Sequence, residues 1–134
     1  MDQGGGEVVV FGYVQDDLPL ICFQINLQHS RTATSNLVQV INQHNIDITH
    51  IQEPYTINNK LAGLPRSYKV NTSGDGGKRS AIVINNDQLD VTLITQLINE
   101  DCVVVEVRSE AVKLYSVSMY FDSRKDIEED IRQL

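Results

Sequence analysis

Apolar positions along this chain follow two different rhythms. PLICFQINL (Pro19 to Leu27) is a β-branched and aromatic run bounded by proline, the pattern of a strand buried on both faces and central in its sheet. HSRTATSNLVQVINQHN then sets Ala33, Leu37, Val40, Ile41 and His44 at helical spacing behind Ser and Thr residues that can cap, which predicts a helix from about Thr32 to Asn45. IDITHIQE (Ile46 to Glu53) returns to strand, and Pro54 ends its ladder because proline has no N–H to donate. Strand, helix and strand in so short a span make a β-α-β unit. Its crossover renders the two strands parallel, with their C-terminal ends on one rim of the sheet. Asn26 closes the first strand and Glu53 the second, so the topology predicts that an amide and a carboxylate meet there.

Beyond Tyr55 the rhythm weakens into Asn, Gly, Pro, Lys and Ser, which predicts mostly loop to Gly77 with YKVN as a short strand. RSAIVIN (Arg79 to Asn85) is a further strand, and VTLITQL, CVVVEVR and VKLYSVSMYF predict an antiparallel meander. SRKDIEEDIRQL begins a helix with Asp126 as N-cap, Glu129 at capping-box spacing, and Ile127, Ile131 and Leu134 on one face. Residues 1–17, opening on DQGGGE, read as a flexible leader, since glycine resists ordering.

With 134 residues and 41% hydrophobic content the chain has the size and composition of one packed domain. A net charge of -7 excludes a general electrostatic grip on nucleic acid, so any contact with phosphate must be local. Cys22 and Cys102 each sit in a strand-like run with no CxxC or Cys/His cluster nearby, which argues against a disulfide framework or a zinc site. No apolar run approaches the ~18 residues needed to cross a bilayer, and no basic secretory n-region is present. An intracellular protein of nucleus or cytoplasm is expected, without a membrane partner.

The candidate chemistry gathers at the predicted rim. Glu53 offers a hard carboxylate of the kind magnesium takes, and such sites use one or two carboxylates with water and substrate phosphate; the plainer alternative is a solvated glutamate. Asn26 could hold a phosphate oxygen or a metal-bound water, or merely satisfy loose backbone groups. His29 and Arg31 precede a helix whose first N–H groups attract anions, and together make a phosphate seat or an ordinary surface loop. His44 and His50 read as structural. SGDGGKRSAI lacks GxxxxGK[ST] spacing and leads into a strand, so no nucleotide cofactor is expected. Lys78 and Arg79 either approach a nucleic-acid backbone or belong to a hairpin turn. Tyr120 closes a strand, where its hydroxyl could reach a phosphate oxygen or simply face water.

Taken in order, QINLQHSRTATSNL, DITHIQEPY, GGKRSAIVI and SVSMYFDSRKDIEEDIRQL resemble the endonuclease/exonuclease/phosphatase family, most closely the apurinic-type endonuclease domain of insect non-LTR retrotransposons. The likeness runs from about Pro19 to Leu134. It implies a two-sheet α/β sandwich and an Mg2+ (or Mn2+)-dependent phosphodiesterase that nicks DNA, so that the freed 3′ hydroxyl primes reverse transcription. It implies that Asn26 positions metal and phosphate, that Glu53 binds the metal, and that Tyr120 contacts the scissile phosphate.

The family's Asp-x-Asn and terminal Ser-Asp-His motifs do not occur in this sequence. Hydrolysis needs an activated water and stabilisation of charge on attacking and leaving oxygens, which Glu53 and Asn26 cannot both supply. The expectation is therefore an N-terminal half of such a sandwich, residues 18–134, weak in metal binding and inactive alone. It should have an open strand edge and an uncovered apolar sheet face. The alternative is a non-catalytic module whose exposed face takes a protein partner, as its acidic charge favours.

Overall fold

The computed structural model of the chain describes residues 6–11, 20–74, 79–110 and 113–120. The expected helix over 126–134 and the side chain of Lys78 lie outside them. Strands β1 (Gly6–Phe11), β2 (Leu20–Asn26), β3 (Ile48–Gln52), β6 (Lys69–Thr72) and β7 (Ser80–Ile84) form a five-stranded sheet in the order β1-β2-β3-β7-β6. A second sheet holds β8 (Asp90–Leu93), β9 (Cys102–Arg108) and β10 (Lys113–Met119) as an antiparallel meander, and β4 (Thr56–Ile57) with β5 (Lys60–Leu61) makes a small hairpin. This is the α/β architecture the sequence predicts, with one difference at its start. Residues 6–11, read as part of a flexible leader, form β1 and pair antiparallel with β2, the Val-rich run GEVVVF outweighing its glycine neighbours.

Helix α1 (Arg31–His44) lies within one residue of its expected bounds. Ser30 caps it, its Oγ accepting from the Ala33 N–H at 3.1 Å, and Asn45 ends it in the left-handed conformation with its own N–H on the Ile41 carbonyl. Leu37 and Ile41 bury against the sheet, whereas His44, expected on the apolar stripe, is exposed. As the last residue before the cap it has no sheet beneath it.

β2 and β3 pair in parallel, Asn26 opposite Gln52, so the crossover delivers both strand ends to one rim. β7 runs antiparallel beside β3 with Ser80 opposite Gln52, bringing the start of β7 to the same rim. Alternation along these strands divides the interior. Ile51, Ala81 and Val83 pack under Leu37 and Ile41 of α1, while Ile48, Ile82 and Ile84 meet Val103, Val105 and Val107 of the second sheet. Around β2, β3 and β7 the first sheet is thus packed on both faces. On the second sheet Tyr115 and Val117 are exposed.

At the end away from the rim, Asp47 ties the sheet together. One carboxylate oxygen accepts from the Ile21 N–H at 2.8 Å and the other from the Asn86 amide at 3.0 Å. Burial and the nearby Asp47 push the Cys22 thiol up to about 12. Cys102, also buried, is raised by burial and by Asp101, and neither thiol is paired.

Toward the rim the space between the sheets becomes polar. His50 Nε2 meets Ser116 Oγ, Gln52 Nε2 donates to Ser118 Oγ at 3.2 Å, and Ser80 Oγ donates to the Asp101 carbonyl at 2.6 Å. Burial lowers His50 from 6.5 to about 4, so it is neutral and structural at ordinary pH. The folded state binds this proton less readily than the unfolded state. His50 therefore contributes stability above about pH 6.5 that is lost as pH falls toward its folded value of about 4. Urea unfolding across that window should show a loss of about 3 kcal/mol from this group, and His50→Gln should flatten that part of the pH dependence.

Candidate active site at the sheet rim

Three segments meet at the rim: the turn after β2, the residue after β3, and the residue before β7. Their backbones are locked together. The Leu27 N–H donates to the Gln52 carbonyl at 2.9 Å, the His29 N–H to the Glu53 carbonyl at 2.8 Å, and the Glu53 N–H to the Arg79 carbonyl at 2.9 Å. Under this constraint Gln28, His29 and Glu53 all adopt positive φ, at 50°, 57° and 50°, a conformation that costs a residue with a Cβ about 1–2 kcal/mol. Such strain persists only where surroundings over-determine it, and it collects at functional sites.

The turn at Glu53 breaks the strand's alternation, in which residue 53 would face away from Gln52 and its partner Asn26. Instead, Asn26 Nδ2 lies 3.5 Å from Glu53 Oε1, while Asn26 Oδ1 accepts from the Gln28 N–H at 2.8 Å. The amide's orientation is thereby set by Gln28, which can only donate. On the other side His29 Nε2 is 3.7 Å from Glu53 Oε2, and His29 Nδ1 lies 2.9 Å from the Pro54 carbonyl. The Glu53 side chain is 26% exposed, enough to be reached from solvent.

A second group joins the rim to the other sheet. Arg79 Nη1 donates to the buried Asp101 carboxylate at 3.2 Å, and its guanidinium stands 5.5 Å from the centre of the Tyr120 ring. The Tyr120 N–H donates to the Asp101 carbonyl at 2.9 Å. Since the Arg79 carbonyl holds the Glu53 N–H, Arg79 is the residue through which Glu53 and Tyr120 are linked. Arg79, expected either to approach a nucleic-acid backbone or to belong to a hairpin turn, has its guanidinium engaged with Asp101 and Tyr120.

Asn26, His29 and Glu53 thus come together, with Arg79 and Tyr120 adjoining. Arg31 is exposed on the first turn of α1. Asp101 went unnoticed in the sequence, although an acid directly before the apolar run CVVVEVR was a signal. Among the described residues no three His, Cys, Asp or Glu side chains cluster to hold a metal. A Glu53 carboxylate steadied by an amide and open to solvent does suit magnesium, which takes few protein ligands and keeps water and phosphate for the rest.

Beside the rim runs a groove of about 590 Å3 lined by Asn58, Lys60, Leu64, Arg66, Tyr68 and Thr72 among others. Thr72, at the end of β6, pairs with Ala81, next to Ser80.

A mixed sheet backed by a helix and faced by a second sheet, with polar groups collected at the strand ends, is an α/β fold of endonuclease type. The structure is similar to that of the endonuclease domain of TRAS1, a telomere-specific non-LTR retrotransposon, with a TM-score of 0.71 and 34% identity over 82% of this chain. The chain spans 48% of the TRAS1 chain, about half its length. No protein-family model and no curated protein matches it. Among the described residues no helix is long and apolar enough to cross a membrane.

Two substitutions test the strain at Glu53. Both Glu53→Gly and Glu53→Ala remove the carboxylate, but only glycine adopts positive φ without penalty. Glu53→Gly should be the more stable of the two by about 1 kcal/mol in urea unfolding. Separately, Asp101→Asn should cost about 2 kcal/mol, a value below that of a fully buried pair because Arg79 is about a third exposed.

Proposed function

We propose that this chain provides the cation- and phosphate-gripping part of a DNA endonuclease site. The observation that carries this reading is the meeting of Glu53, Asn26 and His29 at a rim built by strained, cross-linked backbone. Glu53 holds Mg2+ or Mn2+. Asn26 keeps one oxygen of that carboxylate in place. A divalent cation bound there supplies neutralisation of charge on a phosphodiester's oxygens.

The remaining residues act on the substrate. Tyr120, with its ring held against Arg79, donates its hydroxyl to a phosphate oxygen of the strand to be cut. Arg31 receives the neighbouring phosphate at the start of α1, where helix N–H groups also point outward. Lys60 and Arg66 in the adjoining groove offer a track for flanking phosphates, supplying the local positive charge that an acidic chain must use to meet DNA. Such a site prepares a strand for the nick from which reverse transcription could be primed.

Gripping is not hydrolysis. The Asp-x-Asn and Ser-Asp-His motifs that would orient and activate water do not occur in this sequence, so the 134-residue chain should bind without cutting efficiently. Anisotropy with a labelled duplex should show Mg2+-dependent binding that Glu53→Gln weakens by about 10-fold, as expected where a ligand of a shared cation is neutralised. Supercoiled plasmid should stay intact under the same conditions. Robust nicking abolished by Glu53→Gln would overturn the separation of grip from catalysis, and binding indifferent to both Mg2+ and Glu53 would overturn the site itself.

A further inference from the structure

His29 stands closer to Glu53 than a phosphate contact requires. We propose that His29 Nε2 and Glu53 Oε2 are two ligands of one divalent cation, and that this pair favours a transition ion such as Mn2+ or Co2+ over Mg2+. The inference rests on the reading of Glu53 as the cation holder and goes beyond it, adding a nitrogen ligand and a metal class.

The tautomer follows from the geometry. A carbonyl oxygen can only accept, so the 2.9 Å contact with Pro54 places the proton on His29 Nδ1. In the neutral ring the lone pair is then on Nε2, the atom that faces Glu53 Oε2 at 3.7 Å. Two acceptors turned toward each other call for positive charge between them. Ligands of one small divalent ion, each about 2.1 Å from it, stand about 3–3.5 Å apart, which a slight rotation of either side chain achieves.

The surroundings have the form of an outer shell. Metal-binding histidines commonly donate their other ring N–H to a carbonyl or carboxylate, and metal-binding carboxylates are themselves hydrogen-bonded. Pro54 does the first for His29, and Asn26 does the second for Glu53. His29 and Glu53 are both held at positive φ and joined by the His29 N–H on the Glu53 carbonyl, so backbone strain aims both ligands. The His29 side chain is 60% exposed, open to an entering ion. Imidazole suits transition ions and is a poor partner for magnesium, which selects oxygen. A protonated His29 paired with Glu53 is the competing arrangement, and it makes the opposite prediction below.

The test uses the whole chain, with Mn2+ binding followed by the loss of the free-ion paramagnetic resonance signal and Mg2+ measured by competition. His29→Asn should weaken Mn2+ binding by about 10- to 100-fold and Mg2+ binding by less than about 3-fold, whereas His44→Gln should change neither. In the unaltered protein labelled with 15N-histidine, Mn2+ should broaden the His29 ring before those of His44 and His50, a measurement independent of how the variants fold. Equal weakening of Mn2+ and Mg2+, or Mn2+ binding indifferent to His29→Asn, would overturn the nitrogen ligand and favour the ion pair. In that case binding still lost in Glu53→Gln leaves the oxygen site standing; no cation binding at all removes both.

Discussion

The rim of this molecule depends on two backbone hydrogen bonds that clamp Glu53. Its carbonyl accepts from His29 and its N–H donates to the Arg79 carbonyl, so one residue is gripped from both neighbouring segments just as its strand ends. Without that grip a glutamate would leave the left-handed region, and strand alternation would turn its carboxylate away from Asn26. The clamp converts strand order into side-chain direction. Parallel β2 and β3 bring two ends to the rim, antiparallel β7 supplies the third, and the turn aims what they carry.

A related constraint governs the space between the sheets. Away from the rim the facing residues are Ile and Val; toward it they become His50, Gln52, Ser80, Ser116 and Ser118, each with a partner. Buried polar groups are tolerated when satisfied and expensive when not, so this seam fixes how the sheets register where the site needs them fixed. Ser80 donates to the Asp101 carbonyl, and Asp101 holds Arg79 beside Tyr120. The seam and the second group of site residues are therefore one continuous network.

Much of this was legible in the sequence because it is local. The β-α-β unit announced itself through a change of period and a proline, and its topology alone was enough to bring Asn26 and Glu53 to one rim. The meander of β8, β9 and β10 followed from three β-branched runs. The β4–β5 hairpin was missed, although its turn residues Asn58 and Asn59 both have positive φ, a state asparagine tolerates. Less accessible was anything depending on partners distant in sequence. That Asp101 pairs with Arg79, that Ser116 meets His50, and that His29 turns toward Glu53 are consequences of tertiary register, which no single segment encodes. Residues 6–11 form a strand in spite of their glycine neighbours because a valine run meets the open edge of β2.

The seam also bears on how the molecule is made. His50 and Ser116, like Gln52 and Ser118, are separated by 66 positions, and contacts so remote form slowly because the intervening chain must first be brought to closure. During synthesis the turn after β2 and the end of β3 leave the ribosome early and can settle against each other, whereas the tyrosine side of the rim must wait for β10. Maturation is thus ordered in time, the Glu53 side of the rim preceding the Tyr120 side.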